Sequence, residues 1–160
     1  MRGCRIQAAS EQGTYVLRLE GDVRLTMCTA LDDYFDKIFK DPNFVSVWVD
    51  LTQAIGIDST TLGMLAQLAL KTREQFHFKP AIFSSDPSIN RLLRSMGFEQ
   101  LFDLRNDDCS SSGAALDIPA IESTEGEVRA KVLSAHKTLM SLNETNRTTF
   151  HDLVKTLETH

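Results

Sequence analysis

Apolar and polar positions run in two rhythms through residue 105: a period of two that marks strands and a period near 3.6 that marks helices. Arg5–Ser10 is a weak strand candidate, and Gln12-Gly13 is a turn. Tyr15, Leu17 and Leu19 then alternate with Val16, Arg18 and Glu20, which predicts a strand with one firmly apolar face, broken at Gly21-Asp22. From Leu25 to Lys40, Cys28, Leu31, Phe35, Ile38 and Phe39 recur at helical spacing, and Asp41-Pro42 stops the helix. Phe44–Leu51 is β-branched and aromatic on nearly both faces, the pattern of a central strand covered on both sides. Thr52–Ile57 reads as a loop, and Asp58-Ser59-Thr60-Thr61 leads into a helix through about Arg73. Lys79–Phe83 is a short strand. Asp86-Pro87 opens a further helix with a capping carboxylate and a proline, and Gly97 closes it. Leu101–Leu104 completes the series as a last short strand.

The order β-β-α-β-α-β-α-β predicts an α/β domain over residues 1–105, a mixed four- to five-stranded sheet with helices packed on it. After Arg105 the composition turns polar, and residues 106–124 read as a flexible linker. Val128, Val132, Ala135, Leu139 and Leu142 then form a narrow apolar seam, and Phe150, Leu153, Val154 and Leu157 a second. Residues 125–160 are therefore expected to form a helical hairpin or one bent helix, either covering the domain's own sheet or docking a partner.

Composition narrows the classes. Hydrophobic residues make up 42% of the chain and charged residues 24%, which fits a globular protein and neither disorder nor a fibre. The formal charge is −5 with no basic stripe, so no nucleic-acid partner is expected. No apolar run approaches the roughly 18–20 residues that span a bilayer, and direct membrane insertion is not expected. The first residues run straight into the alternating pattern and do not resemble a secretory signal. The 3 cysteines, Cys4, Cys28 and Cys109, are odd in number and far apart, which argues against a disulfide framework or a zinc site. A cytoplasmic protein with reduced thiols, no cofactor and no metal is the expectation.

No phosphate loop, dinucleotide fingerprint, nucleophile elbow or zinc-helix motif is present. The histidines, His77, His136, His151 and His160, are isolated, and each reads as a packing or surface residue. The sequence thus offers no catalytic constellation and predicts no enzyme. One segment stands out: Val49-Asp50-Leu51, then Ile55 to Leu65, a buried strand followed by a helix opening on Asp58-Ser59-Thr60-Thr61. A helix N-cap by Asp58 or Ser59 accounts for those residue types. With Leu62, Leu65, Ala66 and Ala69 toward the core, Thr60, Met64, Gln67 and Lys71 fall on the opposite face. An exposed Met64 there suits either an ordinary surface position or an adaptable protein contact.

Asp58-Ser59-Thr60-Thr61-Leu62-Gly63 after the Val47–Leu51 strand resembles the phosphorylation motif of STAS domains, the anti-sigma factor antagonists of bacteria. Leu19-Glu20-Gly21-Asp22-Val23-Arg24-Leu25 is similar to the family's strand-to-helix segment, and Leu92–Phe98 with Leu101-Phe102 to its late helix and final strand. The resemblance covers residues 1–105. The variant with Arg24 and the helical tail looks most like antagonists of the pseudomonad swarming and biofilm pathway. It implies the STAS fold and a phosphoacceptor at Ser59, modified by a serine kinase and restored by a PP2C-type phosphatase. In the family the unphosphorylated form binds an anti-sigma factor and frees a sigma factor. A diguanylate cyclase is a further candidate partner. Asp58, Arg24, Thr60, Met64 and Gln67 are the expected interface positions. The family usually has Gly where Thr61 stands and an acidic residue where Arg24 stands, which bears on kinase recognition.

Readings of other classes are an accessory STAS subunit of a membrane lipid transporter, with no phosphoswitch, and a small enzyme assembled from dispersed residues.

Overall fold

A computed structural model of the chain describes residues 3–107, 109 and 115–159. The first alternating segments become antiparallel strands, β1 (Cys4–Glu11) and β2 (Thr14–Val23), joined at Gln12-Gly13. Both turn residues have positive φ, and a Cβ on Gly13 would lie 2.0 Å from the Asn43 carbonyl oxygen, so only glycine fits there. Helix α1 (Cys28–Phe39) follows a short 3-10 turn, Leu25–Met27. Then come β3 (Ser46–Asp50), β4 (Ala54–Ile57), α2 (Ser59–Phe76), β5 (Ala81–Phe83), α3 (Pro87–Ser95), β6 (Asp103–Arg105) and β7 (Leu116–Asp117). The chain closes with α4 (Glu125–Met140) and α5 (Glu144–Glu158).

The strands form a single mixed sheet in the order β6-β5-β3-β2-β1-β7, with β4 also pairing to β2. β2, β3, β5 and β6 run parallel, linked through helices, while β1 pairs antiparallel on both its sides. The α/β class and mixed sheet agree with the sequence pattern, and two short strands are added to it. β4 occupies part of the expected Thr52–Ile57 loop. β2 does not end at Gly21-Asp22 but passes through an irregularity there, with Gly21 at φ +80°, and its last residues pair with β4. β3 and β4 thus lie one after the other along the same side of β2. β7 falls inside the expected linker and pairs with β1. Asp108 and residues 110–114 of that segment lie outside the described residues.

The core sits between one face of the sheet and the helices. Val47, Val49 and Leu51 are fully covered there with Leu17, Leu19, Leu31, Leu65 and Leu68. The opposite face of β3 is less covered than its apolar sequence suggested. Trp48 is half-buried and tilts against Phe83, and Arg18 pairs with buried Asp50 at 3.1 Å.

The C-terminal seams form two helices rather than one bent rod. Asn143 caps α5 by accepting from the Asn146 amide at 2.7 Å, and Thr124 caps α4 by accepting from Glu127 at 3.1 Å. α4 packs principally along α2, not on the sheet. α2 is therefore sandwiched: its inner side meets the core and its outer side meets α4.

Candidate functional site

The site begins where β2 and β4 end. The Asp58 amide donates to the Val23 carbonyl at 3.0 Å, which carries the chain off the sheet into α2. One Asp58 carboxylate oxygen accepts from the Thr61 amide at 2.9 Å. The other accepts from the Leu25 amide at 2.7 Å. A single carboxylate therefore caps α2 and fixes the start of the 3-10 turn leading to α1. Its cap leaves Ser59 as the first residue of α2.

The Ser59 hydroxyl does not face open solvent. Its Oγ lies 2.7 Å from Nε2 of His136 on α4, and His136 is 2% exposed. The other ring nitrogen, Nδ1, is 2.7 Å from the Val132 carbonyl oxygen. A carbonyl only accepts, so Nδ1 carries the proton. In the neutral ring Nε2 then accepts from Ser59. Phe150 of α5 meets the imidazole edge-on, with centroids 5.1 Å apart.

Below this bond the two helices nearly touch. A Cβ placed on Gly63 would lie 2.3 Å from the Ala135 carbonyl oxygen and 2.6 Å from its Cβ, so the absence of a side chain at 63 is what permits the crossing. One turn further, the Gln67 amide nitrogen donates to Ser134 Oγ at 3.0 Å and Thr138 Oγ1 at 3.1 Å. Met64 and Gln67 of α2, Asp32 of α1, and Lys131 and Ser134 of α4 wall a crevice of about 350 Å³.

These contacts correct the expectation of an exposed outer face. Thr60 is 3% and Met64 2% exposed, while Gln67 is half-buried. The inward face was assigned correctly, with Leu62, Leu65, Ala66 and Ala69 in the core. The opposite face is covered by α4, which begins only at Glu125 and which the α2 pattern does not encode. Lys71, beyond the crossing, is exposed. Arg24 stays at the same end of the sheet, but its guanidinium is engaged by the Asp22 carboxylate at 2.8–2.9 Å. Arg24, Asp58 and Ser59 are thus brought to one end of the domain, and Thr60, Met64 and Gln67 run down from it under α4. Sequence reasoning missed His136. Its signal was its place beside Ala135 and four residues after Val132 in the apolar seam, where an imidazole is buried and needs partners.

Other chemistry is sparse. No group of His, Cys, Asp and Glu could hold a metal among the described residues. Burial, with a smaller effect of Asp50, pushes the Cys109 thiol up to about 11, so it stays protonated and a poor nucleophile at neutral pH. A cleft of about 590 Å³ between α1, β1 and residues 116–121 is lined by none of the expected site residues.

The profile of the STAS domain family matches residues 5–108. The chain belongs to the STAS domain family. No curated protein matches the chain significantly. Among solved structures, an anti-sigma factor antagonist from Mycobacterium paratuberculosis is similar in fold, with a TM-score of 0.55 at 17% identity. The match spans 66% of this chain and 87% of the other. The Asp58–Gly63 segment lies inside the part of the chain that matches the STAS family, whereas α4, which packs on it, and α5, which packs on α4, lie outside. No helix among the described residues is long and apolar enough to cross a membrane.

Proposed function

We propose that this STAS protein is an anti-sigma factor antagonist whose binding state is set by phosphorylation of Ser59. The observation that carries the reading is the position of Ser59. It is the first residue of a long helix, at the end of parallel β2 and β4, directly after the Asp58 cap and with its hydroxyl bonded to His136 of α4. In the switch, a partner kinase transfers the γ-phosphoryl group of a nucleoside triphosphate to Oγ. The hydroxyl proton passes to a base on the kinase, and the nucleoside diphosphate leaves. A PP2C-type phosphatase hydrolyses the ester and restores the hydroxyl. The protein itself is substrate and binding module, not catalyst.

The added group carries about −1.5 to −2 charges at neutral pH. Free amides and the dipole at a helix N-terminus tolerate that charge, so the STAS domain keeps its fold. The effect falls on docking: a 100-fold loss of affinity needs only about 2.7 kcal/mol of differential binding. Asp58, Thr60, Met64, Gln67 and Arg24 are the proposed contact set, and the sigma factor released serves motility and biofilm genes.

Paired baits test this. Full-length Ser59→Ala should recover an anti-sigma factor from native extract, and Ser59→Asp should recover less of it at unchanged helix content. Equal recovery by both baits, or recovery of a transporter ATPase subunit instead, contradicts the reading.

A further inference from the structure

The α2–α4 interface is continuous with the apolar core but adds side-chain hydrogen bonds to it. Toward the sheet α2 presents Leu62, Leu65, Ala66 and Ala69 to an apolar cluster. Toward α4 it presents the Ser59 hydroxyl, the Gly63 backbone, the Gln67 amide and the buried Met64 side chain, and Met64, Ala135 and Leu139 join the apolar cluster there. The contacts there are the Ser59–His136 bond, the Gly63–Ala135 crossing and the two bonds from Gln67. The Ser59 hydroxyl and the Gln67 amide can return to water or pair with another protein when α4 leaves, and Met64 then offers an adaptable apolar contact to such a partner. α4 also lies outside the residues that match the STAS family. Besides the packing of Ala135, Leu139 and Phe150, the hairpin is tied by Lys131 to Asp32 of α1 at 2.6 Å, by Ser123 to Thr29 at 3.0 Å, and by Asn146 of α5 to the Met96 carbonyl at 2.9 Å.

We propose that the α4–α5 hairpin is an autoinhibitory strap. Docked on α2, it holds the Ser59 hydroxyl and covers the contact face, so that kinase and anti-sigma partner reach the site only when the strap leaves. The proposal rests on Ser59 being the phosphoacceptor and adds a third, closed state to the two-state switch. The closed state and the phosphate exclude one another. Phosphorylation removes the only hydrogen Ser59 Oγ can donate, and it places a tetrahedral group on an atom now 2.7 Å from a ring that is 2% exposed. His136 Nε2 then loses its donor inside a buried contact, and the strap loses its anchor at that end. By linkage, a docked strap opposes phosphorylation as strongly as the phosphate opposes docking. Partner affinity falls in proportion to the fraction of molecules that are open, so any factor that binds the hairpin raises it.

The test uses the full chain with Met64→Cys, a thiol placed beneath α4, and measures its alkylation by iodoacetamide with peptide mapping. Cys28 of α1, 2% exposed, reports on opening of the domain itself. Two further forms carry, in addition, genetically encoded phosphoserine at 59 or the wedge Ala135→Trp on α4. Both should alkylate at position 64 about tenfold faster or more, the change that about 1.4 kcal/mol produces, with Cys28 unchanged. An unchanged rate at 64 in both forms overturns the strap, as does a rise shared equally with Cys28. Slower alkylation in the phosphoserine form would mean that the phosphate clamps the hairpin through His136, which also overturns it. Because the phosphate is installed without a kinase, this outcome is independent of whether cells modify Ser59.

Discussion

At the residue scale, Ser59 and Asp58 divide the work of one helix start. Ser59→Ala removes the donor to His136 Nε2 in a buried setting and should cost about 1–3 kcal/mol in urea denaturation, with far-UV circular dichroism unchanged. Asp58→Ala removes a cap worth about 1 kcal/mol and also frees the Leu25 amide, so its loss should exceed that of an ordinary cap. At the far end of α1 the Tyr15 hydroxyl donates to Asp41 and, with the Asn43 amide, holds that carboxyl below the usual carboxylate range. A depressed folded pKa stabilises above the unfolded value and is lost as pH falls through the folded one. Tyr15→Phe should therefore flatten the acid limb of the stability profile, measured by denaturation between neutral and acidic pH. The Asp58 cap was legible in the sequence because a cap acts within four residues. The Ser59–His136 bond spans 77 positions, and no local pattern encodes such a pairing.

At the scale of elements, Gly63 and Asn146 decide whether the hairpin sits on α2. Gly63→Ala adds a methyl where the Ala135 carbonyl oxygen would be 2.3 Å away. The better helix propensity of alanine, about 1 kcal/mol, is offset by overpacking of about 1–3 kcal/mol. The expected result is faster hydrogen exchange in α4, with β3 and β5 still protected. Asn146, 2% exposed, donates to the carbonyls of Met96 and Leu139, tying α5 to the end of α3 and to α4. Asn146→Leu should leave those carbonyls without that donor and loosen the same two helices. Long elements were readable because their periodicity repeats over several turns. β4 and β7 were not, since strands of four and two residues carry too little alternation, and each exists by pairing with a strand already formed. The outer face of α2 was misread for the same reason: its cover comes from outside the segment.

At the scale of the molecule, the proposed switch gives this STAS domain, whose α2 lies between core and hairpin, three arrangements: strap docked, partner docked, or phosphorylated. In that proposal the first two use the same face of α2 and the third disfavours both, so control would rest on which group occupies the first turn of one helix. The measurement closest to that claim is mass spectrometry of the tryptic peptide ending at Lys71, from protein recovered from its own cells in at least two growth states. The account predicts phosphate on Ser59 at an occupancy that changes between the states. A peptide unmodified at Ser59 in every state would contradict it.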